Sequence, residues 1–121
     1  MQIAISKWLK LQHREVYFTF DASGLILPPG LAKKATQMRS PERGWADMLI
    51  LEPNREHNGL LIELKKDRAE VYTKAGSERV DEHNREQRNF MNIMRYKGYA
   101  ATYAFSADDA IQKIESYLKK R

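Results

Sequence analysis

Asp47-Met48-Leu49-Ile50-Leu51 and Leu60-Leu61-Ile62-Glu63-Leu64-Lys65 flank the stretch Glu52-Pro53-Asn54-Arg55-Glu56-His57-Asn58-Gly59. Two apolar runs separated by turn formers predict two strands joined by a short connection. Pairing them brings Asp47, at the start of one strand, next to Glu63, at the end of the other. Side chains alternate along a strand, so Glu63 and Lys65 share one face and Leu64 takes the opposite one. Two carboxylates and an amine at one sheet edge can hold a divalent metal and orient water for phosphodiester hydrolysis. Taken singly, Asp47 is as well read as a strand terminator and the Glu63-Leu64-Lys65 triplet as an exposed strand end. The pairing is what points to a site.

Working outward, Ile3, Trp8 and Leu11 suggest a helix over Ile3 to Leu11, and Val16-Tyr17-Phe18-Thr19-Phe20 a strand closed by Asp21-Ala22-Ser23-Gly24. Pro28-Pro29-Gly30 interrupts any longer element, and Leu31 to Met38 predicts a short helix with a basic side at Lys33 and Lys34. Beyond the hairpin, Lys66 to Asp81 holds eight charged residues and few apolar ones, the composition of a long functional or mobile connection. A helix from about His83 to Tyr96 is expected to bury Phe90, Ile93 and Met94, with Gly98 as its stop. Tyr99 to Phe105 resumes strand character. Ser106-Ala107-Asp108-Asp109 has capping-box spacing ahead of a final helix whose Ala110, Ile111, Ile114, Tyr117 and Leu118 pack on the sheet. The order predicts a mixed α/β layer with a central hairpin and a later strand joined through a helical crossover.

The length of 121 residues suits one compact domain, residues 1–121. A composition 42% hydrophobic and 31% charged argues against disorder, and no apolar run approaches the roughly 20 residues of a membrane span. Absent cysteine excludes disulfides and thiolate metal sites and agrees with a cytoplasmic setting. The formal charge of +5 favours nucleic acid as a partner. His13, His57 and His83 lack metal-ligand spacing, and no phosphate-loop motif is present. In the proposed chemistry Asp47 and Glu63 each give an oxygen to Mg²⁺ or Mn²⁺, with the Leu64 carbonyl as a further ligand. Lys65 orients water or offsets phosphate charge, and Gln87, at the start of the next helix, positions by hydrogen bonding.

Gly44-Trp45-Ala46-Asp47, Ile62-Glu63-Leu64-Lys65 and Glu86-Gln87-Arg88-Asn89-Phe90 resemble successive motifs of the VRR-NUC family, a branch of the PD-(D/E)xK nuclease superfamily. The likeness continues through Tyr96-Lys97-Gly98-Tyr99-Ala100 and the capped last helix. It implies a restriction-endonuclease-like mixed central sheet flanked by helices, and a Mg²⁺- or Mn²⁺-dependent DNA endonuclease. Asp47, Glu63 and Lys65 match the family's metal-binding and catalytic positions, and Gln87 matches its glutamine. Small stand-alone members, often from phages, look like dimeric Holliday junction resolvases. A homodimer, a four-way junction substrate and the cytoplasm of a phage host are therefore expectations from the resemblance.

The chain departs from the family pattern in three places. Ala46 stands where a proline-like position precedes the acid, and Asp21 replaces the usual asparagine after the first strand. Members often complete the metal site with a first-helix glutamate, whereas this chain begins Met1-Gln2, Gln2 resembling the glutamine that follows that acid. Either an upstream segment is missing or fewer carboxylates hold the metal. Lys33, Lys34, Arg39 and Arg43, just ahead of Asp47, are the first candidates for binding DNA phosphates. A non-catalytic DNA-binding or assembly module with the same fold is the main alternative. A sequence-reading restriction enzyme ranks behind it, since no separate recognition domain is evident.

Overall fold

The computed structural model describes residues 1–21, 26–41 and 43–121. Its elements are α1 (Gln2–Gln12), β1 (Phe18–Phe20), α2 (Pro29–Gln37), β2 (Met48–Ile50), β3 (Leu60–Leu64), α3 (Glu82–Tyr96), β4 (Ala100–Ala104) and α4 (Ala107–Leu118), with a short 3-10 turn at Arg68–Glu70. The expected order of elements is present. The turn through Ala22-Ser23-Gly24 lies outside the described residues.

The four strands form one sheet in the order β1-β2-β3-β4. β2 is antiparallel to both β1 and β3, and β4 lies parallel to β3, which it reaches through α3. Alternation along the hairpin divides the core. Met48, Ile50, Leu60 and Ile62 meet Ile5 and Leu9 of α1 and Ala110, Ile114 and Leu118 of α4 on one face. On the other, Leu61 packs with Ala46 and with Phe90 of α3, supported by Trp45, Leu49 and Met94. Helices thus cover both sides of a mixed sheet, a restriction-endonuclease-like α/β architecture. Ile62 is fully buried at the centre, so Ile62→Ala is expected to cost about 2–5 kcal/mol, read as a lowered denaturant midpoint.

Differences from the expected boundaries have local causes. β1 starts at Phe18 because the Val16 N–H turns back to the His13 carbonyl at 3.1 Å, closing the end of α1. α2 starts two residues early because Pro29 occupies its first turn, where a missing N–H costs no helical bond. In α3 the buried residues are Asn84, Gln87, Phe90 and Met91, while Ile93 is 50% exposed. At 100° per residue Ile93 sits roughly a third of a turn from the centre of that stripe, and Met91 takes its place in the core.

Two side-chain caps fix helix starts beside the sheet edge. Asp81 accepts from the Asn84 N–H at 3.0 Å, and Ser106 Oγ accepts from the Asp109 N–H at 3.0 Å. Asp109 does not complete a reciprocal capping box, because its carboxylate accepts from the Phe105 N–H at 2.9 Å instead. The Lys66–Asp81 connection is built rather than loose: Val71 is 1% exposed against Met91 and Tyr103, and Tyr72 bridges Glu78. Among the described residues no helix is long and apolar enough to cross a membrane.

Candidate metal centre

The Met48–Ile62 pair is the last rung of the β2–β3 ladder, and one step beyond it Asp47 faces Glu63. The convergence is direct. Asp47 Oδ2 accepts the Leu64 N–H at 2.7 Å, a carboxylate of one strand gripping the backbone of the other between Glu63 and Lys65. The Asp47 carbonyl also accepts the Asp21 N–H at 2.7 Å, which ties this corner to the end of β1.

Glu63 shares its sheet face with Leu61, the face covered by α3. Gln87, one turn into α3, therefore lies over it and donates from Nε2 to Glu63 Oε1 at 2.7 Å. Glu63 is 4% exposed, Gln87 5% and Lys65 8%, so these polar groups sit in low dielectric. Burial first, then the adjacent Asp47 carboxylate, pushes the Glu63 carboxyl up to about 9, while the Lys65 ammonium pulls it the other way. Glu63 Oε2 and Gln87 Oε1 are buried with no hydrogen-bond donor among the described residues, and a protonated Glu63 has the Asp47 carboxylate within reach as acceptor. Neighbouring orphaned oxygens of this kind ordinarily mark a place for an ion or ordered water.

A cleft of 430 Å³ opens at this edge, lined by Met1, Gln2, Ile3, Asp47, Leu64, Lys65 and Lys66. The N-terminus of α1 forms one wall. Gln2 lines the cleft, but no third acid accompanies it: among the described residues no group of three or more His, Asp or Glu side chains could hold a metal. The oxygens present fit a hard cation that keeps several waters, with the Asp47 and Glu63 carboxylates and the Leu64 carbonyl as candidate ligands.

The raised Glu63 carboxyl makes stability depend on pH. Between its ordinary 4.5 and about 9 the folded chain binds more protons here than the unfolded chain. This contribution is complete below pH 4.5 and is lost as pH rises toward 9. In chelator the denaturant midpoint is expected to fall across that window, and Glu63→Gln should flatten the fall. Mg²⁺ should also reduce it, since a cation favours the ionised carboxylate.

The four basic residues ahead of Asp47 do not line this cleft. Lys33 and Lys34 are exposed on α2, and Arg39 pairs with Asp21 at 3.3 Å. Arg43 borders a separate 610 Å³ groove along Trp45 and the outer side of α3. Lys66, which does line the cleft, has no distinguishing signal in the sequence beyond following Lys65.

The fold is similar to that of a solved VRR_NUC domain protein, with a TM-score of 0.65 at 21% sequence identity. The similarity covers 99% of this chain and 86% of the other. At that identity the likeness is one of fold. No protein-family model matches the sequence, and no curated protein matches it.

Proposed function

We propose that this chain is a metal-dependent DNA endonuclease acting on branched substrates such as four-way junctions. One observation carries the reading: Asp47 and Glu63 meet across the hairpin beside Lys65, on a fold shared with a nuclease-domain protein. A basic chain with a cleft at this edge suits a polyanionic substrate.

Asp47, Glu63 and the Leu64 carbonyl would hold Mg²⁺ or Mn²⁺. The chemistry such an ion would supply there is Lewis-acid polarisation of a phosphoryl oxygen and a lowered pKa for water. The chain's own residues do the rest. Asp47 also fixes the end of β3 through the Leu64 N–H. Gln87, through its bond to Glu63 Oε1, sets that carboxylate's orientation and is a positioning residue. Lys65, held in the cleft wall, supplies a fixed positive charge beside the phosphate and a donor to the attacking water. As in any homodimer, two such sites would stand at a fixed separation, suited to opposed strands of a junction.

The test is cleavage of an end-labelled four-way junction and of its linear duplex arms with Mg²⁺ or Mn²⁺. Preferential junction cleavage that chelator abolishes is expected. Equal nicking of both substrates would remove the branch preference. DNA binding without cleavage by the unaltered protein would favour the non-catalytic module.

A further inference from the structure

Phe105 lies beside the candidate site by register. Glu63 pairs with Tyr103 and Leu64 with Ala104 in the parallel β3–β4 ladder, and the Lys65 N–H bonds the Ala104 carbonyl at 2.8 Å. One step further, Lys65 and Phe105 are neighbours across a strand spacing of about 4.8 Å, on the face that also carries Glu63. The ring of Phe105 carries a cation. The Arg68 guanidinium carbon stands 5.1 Å from its centroid and 4.8 Å from that of Tyr72, whose own ring is 6.3 Å from Phe105.

The seat is built by the connection between β3 and α3. Asp67 caps the 3-10 turn by accepting the Ala69 N–H, the Lys66 N–H is held by Glu70, and Val71 is anchored in the core. The buried Asn84 side chain donates to the Glu70 carbonyl at 2.8 Å and locks the turn onto α3. Arg68 is exposed, and its guanidinium has no hydrogen-bond or ion-pair partner among the described residues. The contrast with its neighbours is clear. Arg88 bonds Glu78, Arg79 the Ala69 carbonyl, Arg95 the Ala101 carbonyl, and Lys113 both Asp109 and the Tyr103 carbonyl. The Asp109 carboxylate, which feels the Arg68 charge, is already engaged by Phe105 N–H and Lys113.

A guanidinium oriented by aromatic contacts leaves its N–H edge available, and that planar fork matches a phosphodiester oxygen pair. We propose that Arg68, seated on Tyr72 and Phe105, binds a non-scissile backbone phosphate of the DNA strand in the cleft. Lys66, two residues earlier, lines the cleft itself. The assignment rests on the nuclease reading for its substrate. Arg68 is a positioning residue: it sets where the strand lies and takes no part in the hydrolytic step.

The experiment measures binding of the labelled four-way junction in chelator over a salt series, and steady-state cleavage with Mg²⁺. Arg68→Gln should lower the slope of log affinity against log salt by about 0.9, the signature of one lost phosphate contact. It should raise KM by about five- to tenfold with kcat within about twofold, because a uniform contact is lost. Arg68→Lys should keep the slope but bind more weakly, since an ammonium cannot reproduce the fork. Lys119→Gln is the control: it follows α4, whose 12 residues span about 18 Å away from the Phe105 end. An unchanged slope and KM in Arg68→Gln, or an equal slope loss in Lys119→Gln, overturns the assignment. Cleavage by the unaltered protein with an unchanged Arg68→Gln slope sinks Arg68 alone. Binding without cleavage, with the slope lowered, sinks the nuclease reading alone. No DNA binding by the unaltered protein overturns both.

Discussion

Asp47→Ala is expected to slow single-turnover junction cleavage by about a thousandfold or more, with little change in DNA affinity. Lewis-acid stabilisation and water activation are worth several kcal/mol, and each ~1.4 kcal/mol is a tenfold change in rate. The substitution removes a cation ligand, and it also strips the Leu64 N–H of its acceptor. It further removes a like charge that helps hold the Glu63 carboxyl at about 9, so that carboxyl should titrate lower. Asp47→Asn separates these effects. Its amide oxygen can still accept from Leu64, so the melting temperature should recover toward the unaltered protein's. The rate should stay low, because the amide lacks the negative charge with which the carboxylate holds the cation. Near-normal cleavage by Asp47→Asn would show that Asp47 serves only the backbone. Glu63→Ala should match the rate loss, but by removing the buried carboxyl that accepts from Gln87 rather than a strand tie.

Gly44→Ala should be the most destabilising single-methyl change in the segment leading to the site. Gly44 has φ +83°, a conformation that costs an L side chain about 1–2 kcal/mol. A methyl there would also stand 2.5 Å from the carbonyl carbon and oxygen of Glu86 and 2.7 Å from the Gln87 nitrogen. Those are backbone atoms of a helix and cannot rotate aside. With overpacking of about 1–3 kcal/mol added, a total loss of roughly 2–5 kcal/mol is expected in a denaturant titration. The displacement is directed at Gln87, so its bond to Glu63 should suffer and cleavage fall with stability. An unchanged midpoint would mean that the segment and α3 do not approach as closely as described. The glycine of Gly44-Trp45-Ala46-Asp47 is thus explained by backbone approach, and Trp45 beside it packs on Phe90 with ring centroids 5.0 Å apart and the planes tilted by 39°.

Much of this architecture was legible from residues close together in the chain. The apolar runs on either side of the turn formers Glu52–Gly59 placed β2 and β3, and the Ser106 and Gly98 signals bounded α4 and α3. Alternation put Glu63 and Lys65 on one face and the hairpin pairing put Asp47 beside them, while Gln87 joined the group through the resemblance. Within α3 the same logic failed at Ile93. Counting apolar residues could not tell that Asn84 and Gln87 belong to the buried stripe, which rotates Ile93 outward. The four basic residues before Asp47 were marked by proximity in sequence, yet Arg39 turns to Asp21 and Arg43 to another groove. The seating of Arg68 on Tyr72 and Phe105 was not read from the sequence, since Phe105 is brought to them by the β3–β4 pairing.

The strands, helix ends and the facing of the two acids follow from short-range rules: steric limits on the backbone, side-chain periodicity and turn chemistry, each acting over a few residues. The protonation of Glu63, its bond to Gln87 and the seating of Arg68 on Tyr72 and Phe105 belong to the folded molecule alone. Those properties depend on how far water is excluded and which distant groups share a low-dielectric space, and neither quantity exists until the layers have packed.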